Sequence, residues 1–145
     1  MKTIIMCIGN REGGDDAVGP YICDKLKKTK IKTVDCGTIP ENYTSIVKKE
    51  KPDKLIIIDA VEMGEKPGET RKIPKDKIGV MTISTHGIPL SVLIGYLEQY
   101  IQDITLIGIQ PETMNGEITK NVKNKADELI EIIKNQKTNE IHSLK

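Results

Sequence analysis

Two stretches of uninterrupted apolar residues, Leu55-Ile56-Ile57-Ile58 and Thr3-Ile4-Ile5-Met6-Cys7-Ile8, constrain this chain more than any other feature. A strand with one wet face alternates apolar and polar residues, whereas a run without alternation must be covered on both faces. Such strands belong to parallel sheets, whose crossovers are usually helices. The rest of the sequence supplies those helices. Val18, Tyr21, Ile22 and Leu26 recur at helical spacing and predict a helix over 17–28. Asp16 is placed to cap it, and Pro20 falls in the first turn, where a missing amide costs little. A short strand over 31–34 and a helix over 41–49 follow, the helix turning Tyr43, Ile46 and Val47 inward. The strand around Leu55 spans 54–60, a short edge strand is expected over 69–73, and 76–84 reads as a helical turn and an extended piece. Pro89 opens a helix to about 102 with Leu90, Leu93, Ile94, Leu97 and Ile101 on one face. Val92, Tyr96 and Tyr100 widen that stripe and predict deep burial. A strand over 104–109 and a helix over 118–134 close the pattern. The fold class is therefore α/β, with one three-layer domain over 1–135. Its twisted, mostly parallel sheet of about five strands carries helices on both faces. Residues 136–145 lack a periodic apolar face and are expected to fray or be disordered.

Composition removes several classes of function. The 22 basic and 21 acidic residues leave a net charge of +1, which gives no electrostatic footprint for nucleic acid. The cluster Lys25, Lys27, Lys28, Lys30 and Lys32 reads as a solvated helix end. With no Trp or Phe, the interior must be filled by Ile, Val and Leu. Cys7, Cys23 and Cys36 are odd in number and form no C-x-x-C pair, which argues against a disulfide framework or zinc knuckle and fits a reducing compartment. All three read as core rather than as nucleophiles, since no positive partner is evident. The first apolar run is too short for a signal peptide, and nothing approaches the ~18 apolar residues of a membrane span. A soluble, cytoplasmic monomer without membrane or nucleic-acid partners is expected.

Ligands of open α/β sheets bind beyond the carboxyl ends of the strands. The loop after the first strand, Gly9-Asn10-Arg11-Glu12-Gly13-Gly14-Asp15-Asp16, has the glycines of a phosphate site but two aspartates where the anion would lie. Like charges at close range exclude that reading. The second strand delivers Asp35 and Cys36, the third ends in Asp59, and His86 lies just before the helix at Pro89. Asp16, Asp59 and His86 form a mixed oxygen and nitrogen set that suits Ni, Zn, Mn or Fe(II) and leaves coordination positions open. Each has a plainer reading: Asp16 as a helix N-cap, Asp59 as a carboxylate bonded to loop amides, His86 as a polar loop residue. Asp15 is unassigned beyond a capping role, and His142 in the tail has none.

An ordered series of motifs then resembles the NiFe-hydrogenase maturation endopeptidases. It comprises Gly9-Asn10 with Gly14-Asp15-Asp16, Gly37-Thr38 with Pro40-Glu41-Asn42, and Ile58-Asp59-Ala60 with Met63-Gly64 and Pro67-Gly68-Glu69. Ser84-Thr85-His86 with Pro89-Leu90 and Gly108-Ile109-Gln110-Pro111 complete it. The likeness runs over 2–134 and is greatest to the branch that processes the formate-hydrogenlyase (hydrogenase 3) type. It implies a cytoplasmic protease, of aspartic-type classification, that removes a C-terminal extension from the nickel-loaded precursor of a hydrogenase large subunit. The nickel would be supplied by the substrate's own active site, and cadmium or zinc could stand in for it in a crystal. Its ligands would be Asp16, Asp59 and His86, and Gly9, Asn10, Gly37 and Thr38 would shape the substrate cleft. The general base is left between Asp16 and Asp35, with nickel either polarising the scissile carbonyl or only docking the substrate. A non-enzymatic nickel-binding accessory protein is the alternative. A nucleotide- or flavin-binding domain is opposed by the twin aspartates.

Overall fold

Lys54–Ala60, β3, shows how the sequence makes the sheet. Leu55 and Ile57 pack into one apolar cluster and Ile56, Ile58 and Ala60 into another, so both faces of the strand are dry. In the computed structural model, which describes residues 1–78 and 88–145, β3 is the central strand of five. β1 (Thr3–Cys7) runs parallel on one side, from Thr3 opposite Lys54 to Cys7 opposite Ile58. β5 (Asp103–Ile109) runs parallel on the other, from Asp103 opposite Lys54 to Ile109 opposite Ala60. β2 (Lys32–Asp35) lies parallel outside β1, and β4 (Thr70–Lys72) closes the far edge antiparallel to β5. The spatial order is β2-β1-β3-β5-β4.

Helices cover both faces, which makes three layers. α1 (Val18–Leu26) and α5 (Lys120–Lys134) bury Ile22, Leu26, Val122, Ala126, Leu129 and Ile133 on one side. α2 (Thr44–Glu50), α3 (Lys75–Ile78) and α4 (Leu90–Leu97) bury Val47, Ile78, Leu93 and Leu97 on the other. Each large aliphatic side chain taken from water contributes roughly 1.5–3 kcal/mol, which is what holds the layers to the sheet. The chain leaves β1 toward β2 and leaves β3 toward the opposite edge, so a crevice opens between the carboxyl ends of β1 and β3. Among the described residues no helix is long and apolar enough to cross a membrane.

Three expectations need correction. Ile46 is 43% exposed whereas Val47 is fully buried. The segment begins as a tighter 3-10 turn, Pro40–Tyr43, which shifts the phase of the helix behind it. Val92, Tyr96 and Tyr100 do not deepen the core: they are 55%, 38% and 55% exposed, because the sheet lies against only one side of α4. The tail does not fray. Lys72 donates its amide to the carbonyl of His142 and accepts from the amide of Leu144, so the chain end pairs with edge strand β4. Thr138, Ile141 and Leu144 are buried there. The extended piece expected before Ser84 and the candidate ligand His86 lie outside the described residues.

Candidate active site

The ladder continues past the end of β1 and sets the position of the first loop. Ile8 donates its amide to Ile58 at 2.9 Å and Gly9 donates to Gly37 at 2.8 Å, so the three strand ends are stitched together. Gly9 has φ +151, and a Cβ there would lie 2.0 Å from the carbonyl oxygen of Asp16. Only glycine fits. Gly19 plays a similar part in α1, where a Cβ would meet the Ile8 carbonyl at 2.2 Å, and the helix therefore starts hard against the strand end.

Asp16 sits in a 3-10 turn, Gly14–Ala17, that precedes α1. It makes no side-chain cap on that helix, contrary to the simplest sequence reading. Its carboxylate turns back and accepts the amide of Asn10 at 2.9 Å, and its own amide donates to Gly13. It is 4% exposed. The turn packs against β3, whose penultimate residue is Asp59. Asp59 is fully buried opposite Gly108 of β5, on the same face of β3 as Leu55 and Ile57. Two of the three expected ligands thus come from elements that touch, the turn Gly14–Ala17 and β3. Among the described residues no group of three or more His, Cys, Asp or Glu side chains is arranged to hold a metal, His86 being outside them.

Beside this pair opens a cleft of about 550 Å³. Gly9, Asn10, Gly37 and Thr38 all line it, and Tyr43 forms a further part of its wall. Its remaining lining is charged: Arg11, Glu12 and Asp35. The Arg11 guanidinium grips Asp24 with two bonds, of 2.7 and 2.9 Å, and reaches Asp35 at 2.5 Å. These carboxylates raise the pKa of Arg11, Asp24 foremost, and Arg11 in turn holds Asp24 below the usual carboxylate range. Asp35 also accepts the amide of Gly37 at 3.3 Å, which helps fix the glycine turn of the cleft floor. Cys36 next to it is buried, and burial followed by the charge of Asp35 pushes its thiol up to about 12. Cys7 is likewise held protonated, by its bond with Cys23 and by burial. Neither is a thiolate nucleophile.

Two polar residues matter more than the sequence suggested. Asp15 is fully buried, and its carboxylate accepts the amides of Glu112, Thr113 and Thr119 at 2.8, 3.1 and 2.6 Å and the Thr119 hydroxyl at 2.9–3.0 Å. Thr119 is the residue before α5, so a charge from the first loop caps the last helix. Gly14 and Asp15 add backbone bonds to Gly116 and Thr113. Gln110, at the end of β5, is 4% exposed. Its carbonyl accepts the amides of Met63 and Glu65, and its amide group donates to Glu62 at 2.7 Å. It thereby ties the loop after Asp59 to the last strand. The only sequence signals were the doubled aspartate and the Gln110-Pro111 strand end.

A doubly wound α/β domain with buried carboxylates and an open cleft beyond the carboxyl ends of β1 and β2 defines the class. Residues 20–136 match the family model HycI, hydrogenase maturation protease. The chain is 37% identical over 116 residues to the hydrogenase 3 maturation protease of Escherichia coli K12, covering 77% of this chain and 74% of that one. It superposes on the solution structure of the endopeptidase HycI from Escherichia coli with a TM-score of 0.91 at 30% identity, over 100% of this chain and 97% of the other. The NiFe hydrogenase maturation protease HycI from Thermococcus kodakarensis gives 0.80 at 30% identity, covering 94% and 92%. This chain belongs to the hydrogenase maturation protease family.

Proposed function

We propose that this chain is the endopeptidase that removes the C-terminal extension from the nickel-loaded precursor of a NiFe-hydrogenase large subunit. The observation that carries the reading is the pairing of an open, glycine-floored cleft with two buried carboxylates, Asp16 and Asp59, on adjacent elements at one end of the sheet. A floor made by Gly9 and Gly37 lets an extended peptide backbone approach closely. Two carboxylates with the imidazole of His86 suit a borderline divalent ion, and nickel enters as part of the substrate. Asp16, Asp59 and His86 would then hold the nickel end of the precursor while its C-terminal segment lies in the cleft.

Hydrolysis needs a base to take a proton from water as it attacks the scissile carbonyl. Asp35 faces the cleft but is ion-paired with Arg11, and we assign it to the cleft wall. Asp16, whose carboxylate holds the amide of the cleft residue Asn10, is the assigned base, and the substrate's nickel would polarise the carbonyl. Three cysteines with no disulfide between them suit a reducing cytoplasm, where we place the reaction, carried out by a monomer.

Incubating the protein with nickel-loaded and nickel-free precursor and sizing the large subunit tests the proposal. Shortening of the loaded form alone is expected, and its loss in Asp16→Asn, Asp59→Asn and His86→Ala. Equal cleavage of both forms would remove nickel from the reading. Metal binding without any shortening would instead make the protein a nickel-binding accessory.

A further inference from the structure

α4 is apolar on two sides and uses only one of them. Leu90, Leu93, Leu97 and the following Ile101 pack into the core. Val92 and Tyr96 on the other side, with Ile88 just before the helix and Tyr100 just after it, are exposed: 41% for Ile88, 55% for Val92, 38% for Tyr96 and 55% for Tyr100. A surface helix ordinarily presents polar residues there, and a contiguous exposed apolar strip marks a contact surface. The two tyrosines are held in place. Lys48 of α2 bonds the Tyr96 hydroxyl at 2.5 Å and lies 5.0 and 4.7 Å from the two ring centres, which are 5.5 Å apart. Gly95, next to Tyr96, is also exposed, and no atom within 4 Å of its Cβ position requires a glycine. Glycine weakens a helix, yet here it leaves a flat place where another backbone can come close.

The strip is joined to the cleft wall through α2. Lys48, which pins both rings, is on the helix that follows directly from the 3-10 turn carrying Tyr43, and Tyr43 lines the cleft. We propose that the outward strip of α4, Ile88, Val92, Tyr96 and Tyr100, docks the folded body of the hydrogenase large-subunit precursor while its C-terminal segment occupies the cleft. The proposal rests on the function proposed above. Rigid aromatic side chains supply contact energy at small entropic cost. Four side chains are far short of the 1,200–2,000 Å² or so of a standard stable interface, which suits an encounter that must release its product rather than a permanent dimer. Docking the body also raises the effective concentration of the segment at the cleft.

Contacts made equally by bound substrate and transition state lower KM and leave kcat alone. Val92→Glu and Tyr100→Ser remove exposed groups, so both variants should unfold at the wild-type temperature. Against nickel-loaded precursor each is expected to raise KM by about 10-fold, the loss of one interfacial anchor, with kcat within about 2-fold of wild type. Glu128→Gln on α5, across the sheet, should change neither. If the wild type cleaves and both strip variants keep its KM, the docking surface is wrong although the activity stands. If the wild type does not cleave, the activity reading fails, and precursor binding measured by interferometry decides the surface by itself. Weaker binding by the strip variants then supports it, and equal or absent binding overturns it. A wild-type dimer in sedimentation that Val92→Glu dissociates would assign the strip to a second copy and also overturn the proposal.

Discussion

Replacing Asp15 tests whether the first loop is held from across the molecule. Its carboxylate accepts three backbone amides and one hydroxyl from the segment between β5 and α5. Asp15→Asn keeps the shape and one acceptor oxygen but points an amide N–H₂ group at backbone donors on the other side. A buried hydrogen bond to a charged group contributes about 1.5–3 kcal/mol, and loss of charge at the α5 N-terminus adds about 0.3–1 kcal/mol. The bonds share one group and do not add, so the expected loss is about 2–3 kcal/mol for Asn. For Ala, which strands every donor, it is about 3–5 kcal/mol, since each buried donor left without a partner costs about 1–3 kcal/mol and the costs do not simply add. For a chain of this length that is a fall in Tm of roughly 5–10 °C for Asn, read by circular dichroism. Native-state hydrogen exchange supplies the local readout: the amides of Glu112, Thr113 and Thr119 should exchange faster in both variants. Thr119→Val combined with Asp15→Asn should cost less than the two singly, because both remove the same bond. An Asn variant that melts within about 1 °C of wild type, with unchanged exchange at those amides, would refute the reasoning.

Two further measurements address the tail and the titrating tyrosines. Ending the chain at Asn135 should lower stability by about 3–6 kcal/mol, since Ile141 and Leu144 are buried and each is worth about 1.5–3 kcal/mol; a truncated protein as stable as the full chain would restore the expectation of a frayed end. With four tyrosines and no tryptophan, ultraviolet difference absorbance can follow each phenol. Tyr21 should ionise late, at about 12, because of burial and its bond to Asp127, and Tyr96 below its ordinary range because of Lys48. The sign for stability follows: the Tyr21 contribution is complete below its ordinary value of 10.0 and is lost as the pH rises through about 12. Tyr21→Phe should delete the step at about 12, and steps of Tyr21 and Tyr96 that coincide would show both environments to be misread.

Much of the architecture was legible because it depends on local pattern. Non-alternating runs identified β1 and β3 as strands covered on both faces, and 54–60 matches the observed strand residue for residue. The structure gathers around one cleft Gly37 and Thr38, which only the family resemblance assigned, and Gly9 and Asn10, which came also from the strand-end rule. That rule also selected Asp16 and Asp59, which stand on adjoining elements, with His86 outside the described residues. Besides the tail and the capping role of Asp16, what failed were inferences about which side of an element faces inward. Ile46 and the strip of α4 are as apolar as residues that are buried, and helical spacing alone does not reveal where the sheet lies.

The sequence by itself therefore determined the elements, the parallel sheet between helices and the end of that sheet at which a ligand would lie. Hydrophobic periodicity and glycine placement are properties of neighbouring residues, and they suffice for this. Only the tertiary structure decided how the opening loop is held. Asp15 finds its partners 97 to 104 positions along the chain, Gln110 reaches back to Met63, and Leu144 pairs with Lys72. A hydrogen bond between such distant residues leaves no period in the sequence, because it exists only once the folded sheet has brought its ends together.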